Sequence, residues 1–211
     1  YVKNIIDKEN IYGEVKGVVV QFGGQTPLRI ADKLREFGYK ILGTSFEAID
    51  ISEDRERFQK LIEKVGLKQP KSDISLGTKE LLTKSSKLNF PILLRPSYVL
   101  GGRMMEKMNS MDDVQNYIDQ NYWALENNVI LIDEFLKEAK EVDVDILRDI
   151  NGNTMIAGIM EHIEEAGIHS GDSACCIPPF SLSEDVINSI KKFSIRLSQE
   201  LGTIGLMNIQ Y

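Results

Sequence analysis

The chain is poor in the residues that staple or metallate small proteins. Its 211 residues hold two cysteines, Cys175 and Cys176, and two histidines, His162 and His169. Adjacent cysteines fit neither a disulfide framework nor zinc-ligand spacing, so a reduced, cytoplasmic protein is expected. They read as small buried residues, because no base stands near them in sequence to activate a thiol. No apolar run approaches the ~20 residues of a membrane span, and no signal peptide is recognised before Tyr1. A basic excess is missing too: the formal net charge is −7, which argues against nucleic acid as a partner. There is no internal repeat and no low-complexity tract. What remains is ordinary globular composition, 42% hydrophobic and 27% charged, in a chain long enough for one large domain or two small ones.

Residues 2–9 read as a helix. Residues 16–22 form a short β-branched run ending at Gly23-Gly24, and Leu28, Ala31, Leu34 and Phe37 then recur at helical spacing after Pro27. Ile41-Leu42 begins a second strand, so residues 1–48 predict a βαβ unit over a parallel sheet. Ser52 is expected to open a helix with Phe58, Leu61, Ile62 and Val65 on one face. Beyond a boundary at residues 68–72 the signals turn antiparallel: helix 78–88, strands 91–95 and 104–108, helix 110–121 with Ser110 and Asp113 as its capping box, and strand 129–133. Residues 141–148 alternate strictly, with Val142, Val144 and Ile146 on one face and Glu141, Asp143 and Asp145 on the other. Asn151-Gly152 is a hairpin turn into strand 154–160. Helix 183–201 is expected to bury Val186, Ile190, Phe193, Leu197 and Leu201, and an apolar strand follows over 204–211.

Residues 161–173, Glu-His-Ile-Glu-Glu-Ala-Gly-Ile-His-Ser-Gly-Asp-Ser, collect both histidines, two glycines and a run of carboxylates. Nothing in the segment reads as core, and a polar ligand site is expected on it. The histidine spacing fixes no metal geometry, so a hydrogen-bonding role next to a ligand is preferred to ligation, with a surface imidazole as the plain alternative for His169. A second candidate is Arg95-Pro96-Ser97-Tyr98-Val99-Leu100-Gly101-Gly102-Arg103. A strand ends there in a guanidinium suited to phosphate oxygens, and two glycines let amides approach an anion. The absence of a Lys-Ser/Thr pair excludes a P-loop. A β-hairpin with a Gly-Gly turn and a surface arginine is the alternative. The third is Asp133-Glu134-Phe135-Leu136 with Glu141: a crossover that could offer backbone groups to a purine edge and a carboxylate to ribose, or a solvated linker.

Taken together, Gln21-Phe22-Gly23-Gly24-Gln25-Thr26-Pro27, Glu53-Asp54-Arg55-Glu56-Arg57-Phe58, the Arg95 to Arg103 segment, Glu141-Val142-Asp143-Val144-Asp145, Met160-Glu161-His162-Ile163-Glu164, Gly167-Ile168-His169-Ser170-Gly171-Asp172-Ser173 and Leu206-Met207-Asn208 resemble, in order, the large subunit of carbamoyl-phosphate synthetase. The resemblance implies an α/β chain: the end of a pre-ATP-grasp domain (1–48), then an incomplete ATP-grasp domain (49–211) of two α+β lobes. Val99 to Arg103 and Met160 to Glu164 resemble the half that phosphorylates carbamate. Arg55 and Arg95 would then face ATP phosphates under a flap holding Gly101 and Gly102, and Glu134 and Leu136 would lie along adenine. Glu141 would hold the ribose, Gly167, Ile168, His169 and Ser170 would line the pocket, and Gln210 would meet Mg²⁺ or Mn²⁺. The implied reaction makes carbamoyl phosphate for arginine and pyrimidine biosynthesis, with a glutamine amidotransferase small subunit as partner. A biotin carboxylase-like ATP-grasp ligase and a non-catalytic nucleotide-binding module are the alternatives. The chain opens in a helical pattern and stops inside a strand, so a piece of a longer protein is expected, inactive alone and prone to self-association through an exposed strand edge.

Overall fold

The computed structural model describes residues 1–22, 25–96, 104–166 and 173–211. In chain order these form α1 (Val2–Tyr12), β1 (Val18–Val19), α2 (Gln25–Glu36), β2 (Ile41–Leu42), α3 (Phe46–Glu53), α4 (Arg55–Val65), β3 (Ser72–Leu76), α5 (Leu81–Ser85), β4 (Ile92–Pro96), β5 (Glu106–Met108), α6 (Met111–Leu125), β6 (Val129–Glu134), β7 (Val142–Arg148), β8 (Thr154–His162), β9 (Cys175–Cys176), α7 (Glu184–Leu201) and β10 (Gly205–Gln210). They divide into two compact units: Tyr1–Lys68 with Lys140–Tyr211, and Gln69–Ala139.

In the first unit β1 and β2 pair in parallel, Val18 opposite Ile41 and Val19 opposite Leu42, with Val20, Ala31, Leu34 and Ile49 buried against them. The expected βαβ arrangement is present, although the first strand is two residues long rather than seven. Phe37, expected on the buried stripe of α2, is exposed, because α2 ends at Glu36 and the chain turns away. Ser52 does not open a helix. It lies in the last turn of α3, its hydroxyl returned to the Ala48 carbonyl at 2.9 Å. Ser45 caps α3 and Asp54 caps α4 by accepting from Arg57 N–H at 2.8 Å. A one-residue break thus stood where one longer helix start was read, and both Ser52 and Asp54 are cap-forming types.

The larger sheet of this unit is antiparallel, in the order β10-β7-β8-β9. The Asn151-Gly152 turn joins β7 to β8, with Gly152 at φ 91°. Along β7 the alternation is as read: Val142, Val144 and Ile146 are buried, and the acidic residues between them are not. Helix α7 covers the apolar face through Ile190 and meets α4 through Leu197, which packs with Leu61, Ile62 and Val65. Serving two neighbours gives α7 a wider inner surface than one stripe. Ser194 and Ser198 are fully buried on it, while Val186 is 44% exposed. The serines are accommodated because Ser194 Oγ meets Tyr211 Oη at 2.9 Å and Ser198 Oγ donates to the Ile195 carbonyl at 2.8 Å.

The second unit is a four-stranded antiparallel sheet, β3-β6-β4-β5, with Leu81, Ile92, Leu94, Val114, Leu125, Ile130 and Ile132 fully buried between it and α5 and α6. Helix α6 starts with the expected capping box of Ser110 and Asp113. Strand β3 escaped the sequence reading because its pattern is inverted. Ser75 faces the core, donating to the Gly77 carbonyl at 2.8 Å, while Ile74 and Leu76 face out. The expected helix 78–88 shrinks to the five residues of α5.

Two glycines at positive φ make opposite demands. A Cβ on Gly77 (φ +71°) would lie 2.1 Å from the Glu126 carbonyl oxygen, whereas one on Gly66 (φ +84°) would meet nothing within 4 Å. Gly66→Ala should therefore cost only the left-handed backbone penalty, about 1 kcal/mol, and Gly77→Ala about 3 kcal/mol or more because backbone must also move. Urea unfolding of the two variants checks the ordering; equal losses would mean that the Gly77 turn relaxes freely.

Candidate functional site

Burying one face of β7 sends its acidic residues to the other, and the sheet register adds neighbours to each. Gln210 lies opposite Asp143 on β10 and Asn208 opposite Asp145, while His162 on β8 lies opposite Cys175 on β9. Gln210 Nε2 donates to Glu141 Oε1, Asn208 Nδ2 donates to Asp145 Oδ1 at 2.9 Å, and His162 Nε2 meets Asp143 Oδ2 at 2.8 Å. One sheet face thus carries three paired acidic side chains in a row. Gly158, opposite Asp145, leaves the surface open on that side.

This brings together two residues assigned separately from the sequence, Glu141 and Gln210, joins His162 of the 161–173 segment to them, and adds two that were given no role, Asp143 and Asp145. The signal for them was the two-residue period of the strand, which places 141, 143 and 145 in line. The segment 161–173 was expected to contribute nothing to a core. Its first two residues do: Glu161 and His162 are 5% and 6% exposed. His162 is hydrogen-bonded to Asp143 within the sheet face. Gly167, Ile168, His169 and Ser170 lie outside the described residues, as do Gly101 and Gly102.

Glu161 faces the apolar side, opposite Val142, and its burial is made tolerable by four donors. Lys140 Nζ (2.9 Å) and Ser181 Oγ reach Oε1, and the N–H groups of Phe180 (2.9 Å) and Ser181 (2.8 Å) reach Oε2. The Ser181 hydroxyl and amide, then Lys140, hold its carboxyl at a pKa of about 2, below the ordinary 4.5. This clamp fixes the start of β7 and the segment after β9 to one carboxylate, beside the face just described.

The cysteines are not the buried small residues expected: Cys175 is exposed and Cys176 half-buried, because β9 is a two-residue edge strand. Partial desolvation, and then the nearby Asp143 and Glu164 carboxylates, push the Cys175 thiol up. It is therefore a poor nucleophile.

In the second unit Arg95 and Asp133 share the outer sheet face. Arg95 Nε donates to Asp133 Oδ2 at 2.8 Å and Nη2 donates to the same oxygen, leaving the guanidinium side chain 43% exposed. Glu134 sits on the opposite face, opposite Ile92, and its carboxylate receives Asn89 N and Nδ2, both at 2.9 Å. The structure does not bring Arg95 and Glu134 together. The amides of Glu134 and Phe135 are taken by the carbonyls of Lys71 and Pro91, so in the crossover the exposed Leu136 keeps its amide available among the described residues. Arg55 is the first residue of α4, directly after the cap Asp54.

For a divalent cation the Gln210 amide offers a hard oxygen donor, its nitrogen being turned to Glu141, and oxygen donors suit Mg²⁺ or Mn²⁺. Among the described residues no group of three His, Cys, Asp or Glu is gathered closely enough to hold a metal by itself. Gln210 thus fits as one member of an oxygen shell. No helix among the described residues is long and apolar enough to cross a membrane.

Residues 54–211 match the family described as carbamoyl-phosphate synthase L chain, ATP binding domain, and residues 1–51 match the carbamoyl phosphate synthase preATP-grasp domain. The chain belongs to the carbamoyl-phosphate synthase large-chain family. It is 50% identical over 195 residues to the carbamoyl phosphate synthase large chain of Myxococcus xanthus, covering 92% of this chain and 18% of that protein. With that of Archaeoglobus fulgidus it shares 50% over 207 residues, 97% of this chain and 19% of that protein. The chain thus spans about a fifth of the length of the curated relatives it matches. Among solved structures, biotin carboxylase from Campylobacter jejuni superposes with a TM-score of 0.71 at 14% identity, over 99% of this chain and 48% of that one. The D-alanine–D-alanine ligase of Bacillus anthracis, complexed with ATP, does so with 0.69 at 14% identity, over 100% and 67%. At such identity the likeness speaks for the fold alone, which is that of the ATP-grasp ligases.

The Glu161 clamp has a defined pH signature. With the carboxyl lowered from 4.5 to about 2, its stabilisation is complete above pH 4.5 and is lost as the pH falls toward 2. Glu161→Gln should cost about 3 kcal/mol at neutral pH by leaving buried donors ill-matched, and the gap to the wild type should narrow on acidification. Urea unfolding of both proteins at pH 7 and pH 3 measures it; a gap that stays constant would exclude the carboxylate as the titrating group.

Proposed function

We propose that the full-length protein uses ATP to phosphorylate carbamate, giving carbamoyl phosphate and ADP for arginine and pyrimidine biosynthesis, and that this chain supplies part of the ATP-binding machinery. The observation that carries the reading is the row on one sheet face, Glu141–Gln210, His162–Asp143 and Asn208–Asp145, in a chain 50% identical to carbamoyl phosphate synthase large chains. Arg95, fixed by Asp133 yet still open to solvent, meets ATP phosphates, and Arg55 is a second phosphate contact. Leu136 offers its amide to adenine, the Glu134 contribution being limited to backbone. Glu141 accepts from ribose hydroxyls, and Gln210 is one oxygen ligand of the Mg²⁺ or Mn²⁺ that neutralises phosphate charge when bound. The loop residues Gly101, Gly102, Gly167, Ile168, His169 and Ser170 complete the nucleotide site.

Such a set suits acyl-phosphate formation, where positioning and charge stabilisation supply most of the rate. It requires no nucleophilic cysteine, which agrees with the raised Cys175 thiol. The assignment to the carbamate-phosphorylating half rests on Val99-Leu100-Gly101-Gly102-Arg103 and Met160-Glu161-His162-Ile163-Glu164, and a glutamine amidotransferase small subunit is the partner that would supply ammonia. A biotin carboxylase-like activity is supported only by a fold likeness at 14% identity.

Arg95→Ala in the full-length protein should weaken ATP binding by about 1.5–3 kcal/mol, the worth of a charged hydrogen bond, read by calorimetry; unchanged affinity would remove the phosphate role. Glu141→Ala should raise the apparent KM for ATP in carbamate-dependent ADP formation and that for ADP in ATP synthesis from carbamoyl phosphate, while bicarbonate-dependent ATP hydrolysis is unchanged. Selective loss of the bicarbonate reaction would assign the chain to the other half, and unfolding without a nucleotide-specific effect would make Glu141 structural.

A further inference from the structure

Strand β10 bears Asn208 and Gln210, but it is the edge of its sheet among the described residues, laddered only to β7. What holds its start comes from the parallel pair of the same unit. Thr44, two residues past β2 and 5% exposed, uses one hydroxyl three times. It donates to the Ile204 carbonyl at 2.9 Å, accepts from Ile204 N–H at 3.0 Å, and accepts from Gln21 Nε2 at 2.8 Å. The Gln21 amide also reaches the Leu206 carbonyl at 3.4 Å.

The packing around Gln21 leaves no slack. A Cβ on Gly43 would lie 2.5 Å from Gln21 Oε1 and one on Gly205 3.3 Å from it, and both glycines are at positive φ, +84° and +102°. Two glycines thus form a slot for one side-chain amide, where the ends of β1 and β2 and the beginning of β10 converge. A hydroxyl that bonds both the N–H and the C=O of one residue fixes that residue's height and rotation together. Such an anchor sets the placement of the strand that begins there.

We propose that Thr44, seated by Gln21, is a positioning residue for β10: it sets where Gln210 stands for the divalent cation of the nucleotide site. The proposal rests on the role given to Gln210 above. A positioning partner one step removed from a metal ligand typically alters metal affinity by 10–100-fold.

Two measurements on the full-length protein test it. One is amide hydrogen exchange of the peptide covering residues 204–211, without nucleotide or metal; the other is the Mg²⁺ concentration giving half-maximal carbamate-dependent ADP formation. Thr44→Val should speed exchange in that peptide about 10-fold and raise the Mg²⁺ requirement about 10-fold, while Thr44→Ser, which keeps the hydroxyl, should leave both at wild-type values. Unchanged exchange in Thr44→Val, or acceleration spread equally over β7, β8 and α7, would overturn the proposal. If Thr44→Val does not fold, Gln21→Met is read by the same two measures. Gln210→Ala separates the two layers of the argument. Should it leave the Mg²⁺ requirement unmoved, the role of Gln210 fails while selective exchange in β10 still supports the anchor; should it shift the requirement when Thr44→Val does not, the positioning role is wrong.

Discussion

A β-strand has two faces, and once Val142, Val144 and Ile146 go under α7, Glu141, Asp143 and Asp145 must take the opposite one. The rest of the first unit is arranged around that division. Strands β8 and β10 match the polar side with His162, Asn208 and Gln210, and the apolar side with Ile159, Ile209 and Met207. A one-residue slip of either neighbour would exchange that strand's own two sets, turning His162, or Asn208 and Gln210, toward Ile190 and exposing Ile159, or Met207 and Ile209. The Glu141–Gln210 pairing and the stability of the sheet are therefore consequences of the same register.

Three buried polar groups of this unit join parts of the chain that are distant in sequence. Glu161 gathers Lys140 and the amides of residues 180 and 181; Thr44 gathers Gln21 and Ile204; Ser194 meets Tyr211. Each is buried, and each has partners that replace water. The second unit buries serine and threonine hydroxyls, Ser75, Thr78 and Ser85, but no carboxylate among its described residues. Its core is mostly aliphatic, and one of its ion pairs, Arg95 with Asp133, lies on the outer face, where the guanidinium keeps contact with solvent. An anchored arginine that is still open is suited to meeting an anion without a large reorganisation cost.

Much of this was legible along the chain because periodicity is a local property. The alternation over β7, the Asn151-Gly152 turn and the Ser110–Asp113 box needed only a few consecutive residues to be read. Errors arose where a side chain answered to a neighbour far away in sequence. Val186 fits a single helical stripe, yet Ser194 and Ser198 take the interior because α7 serves both a sheet and α4. Ser75 occupies a core position in β3 because the Gly77 carbonyl accepts its hydroxyl. The two cysteines look apolar and small, but β9 is too short and too close to an edge to cover them.

By itself the sequence determined the two-faced strands, the helix caps and the motifs that mark the family, since each depends on spacing within a few residues. Only the tertiary structure decided that Glu141 stands beside Gln210, that Arg95 is held by Asp133 while Glu134 turns to the other face, and that Thr44 reaches β10. Those pairings follow from strand register and sheet order. Both are set by how apolar faces far apart in the chain exclude water together, which no local pattern encodes.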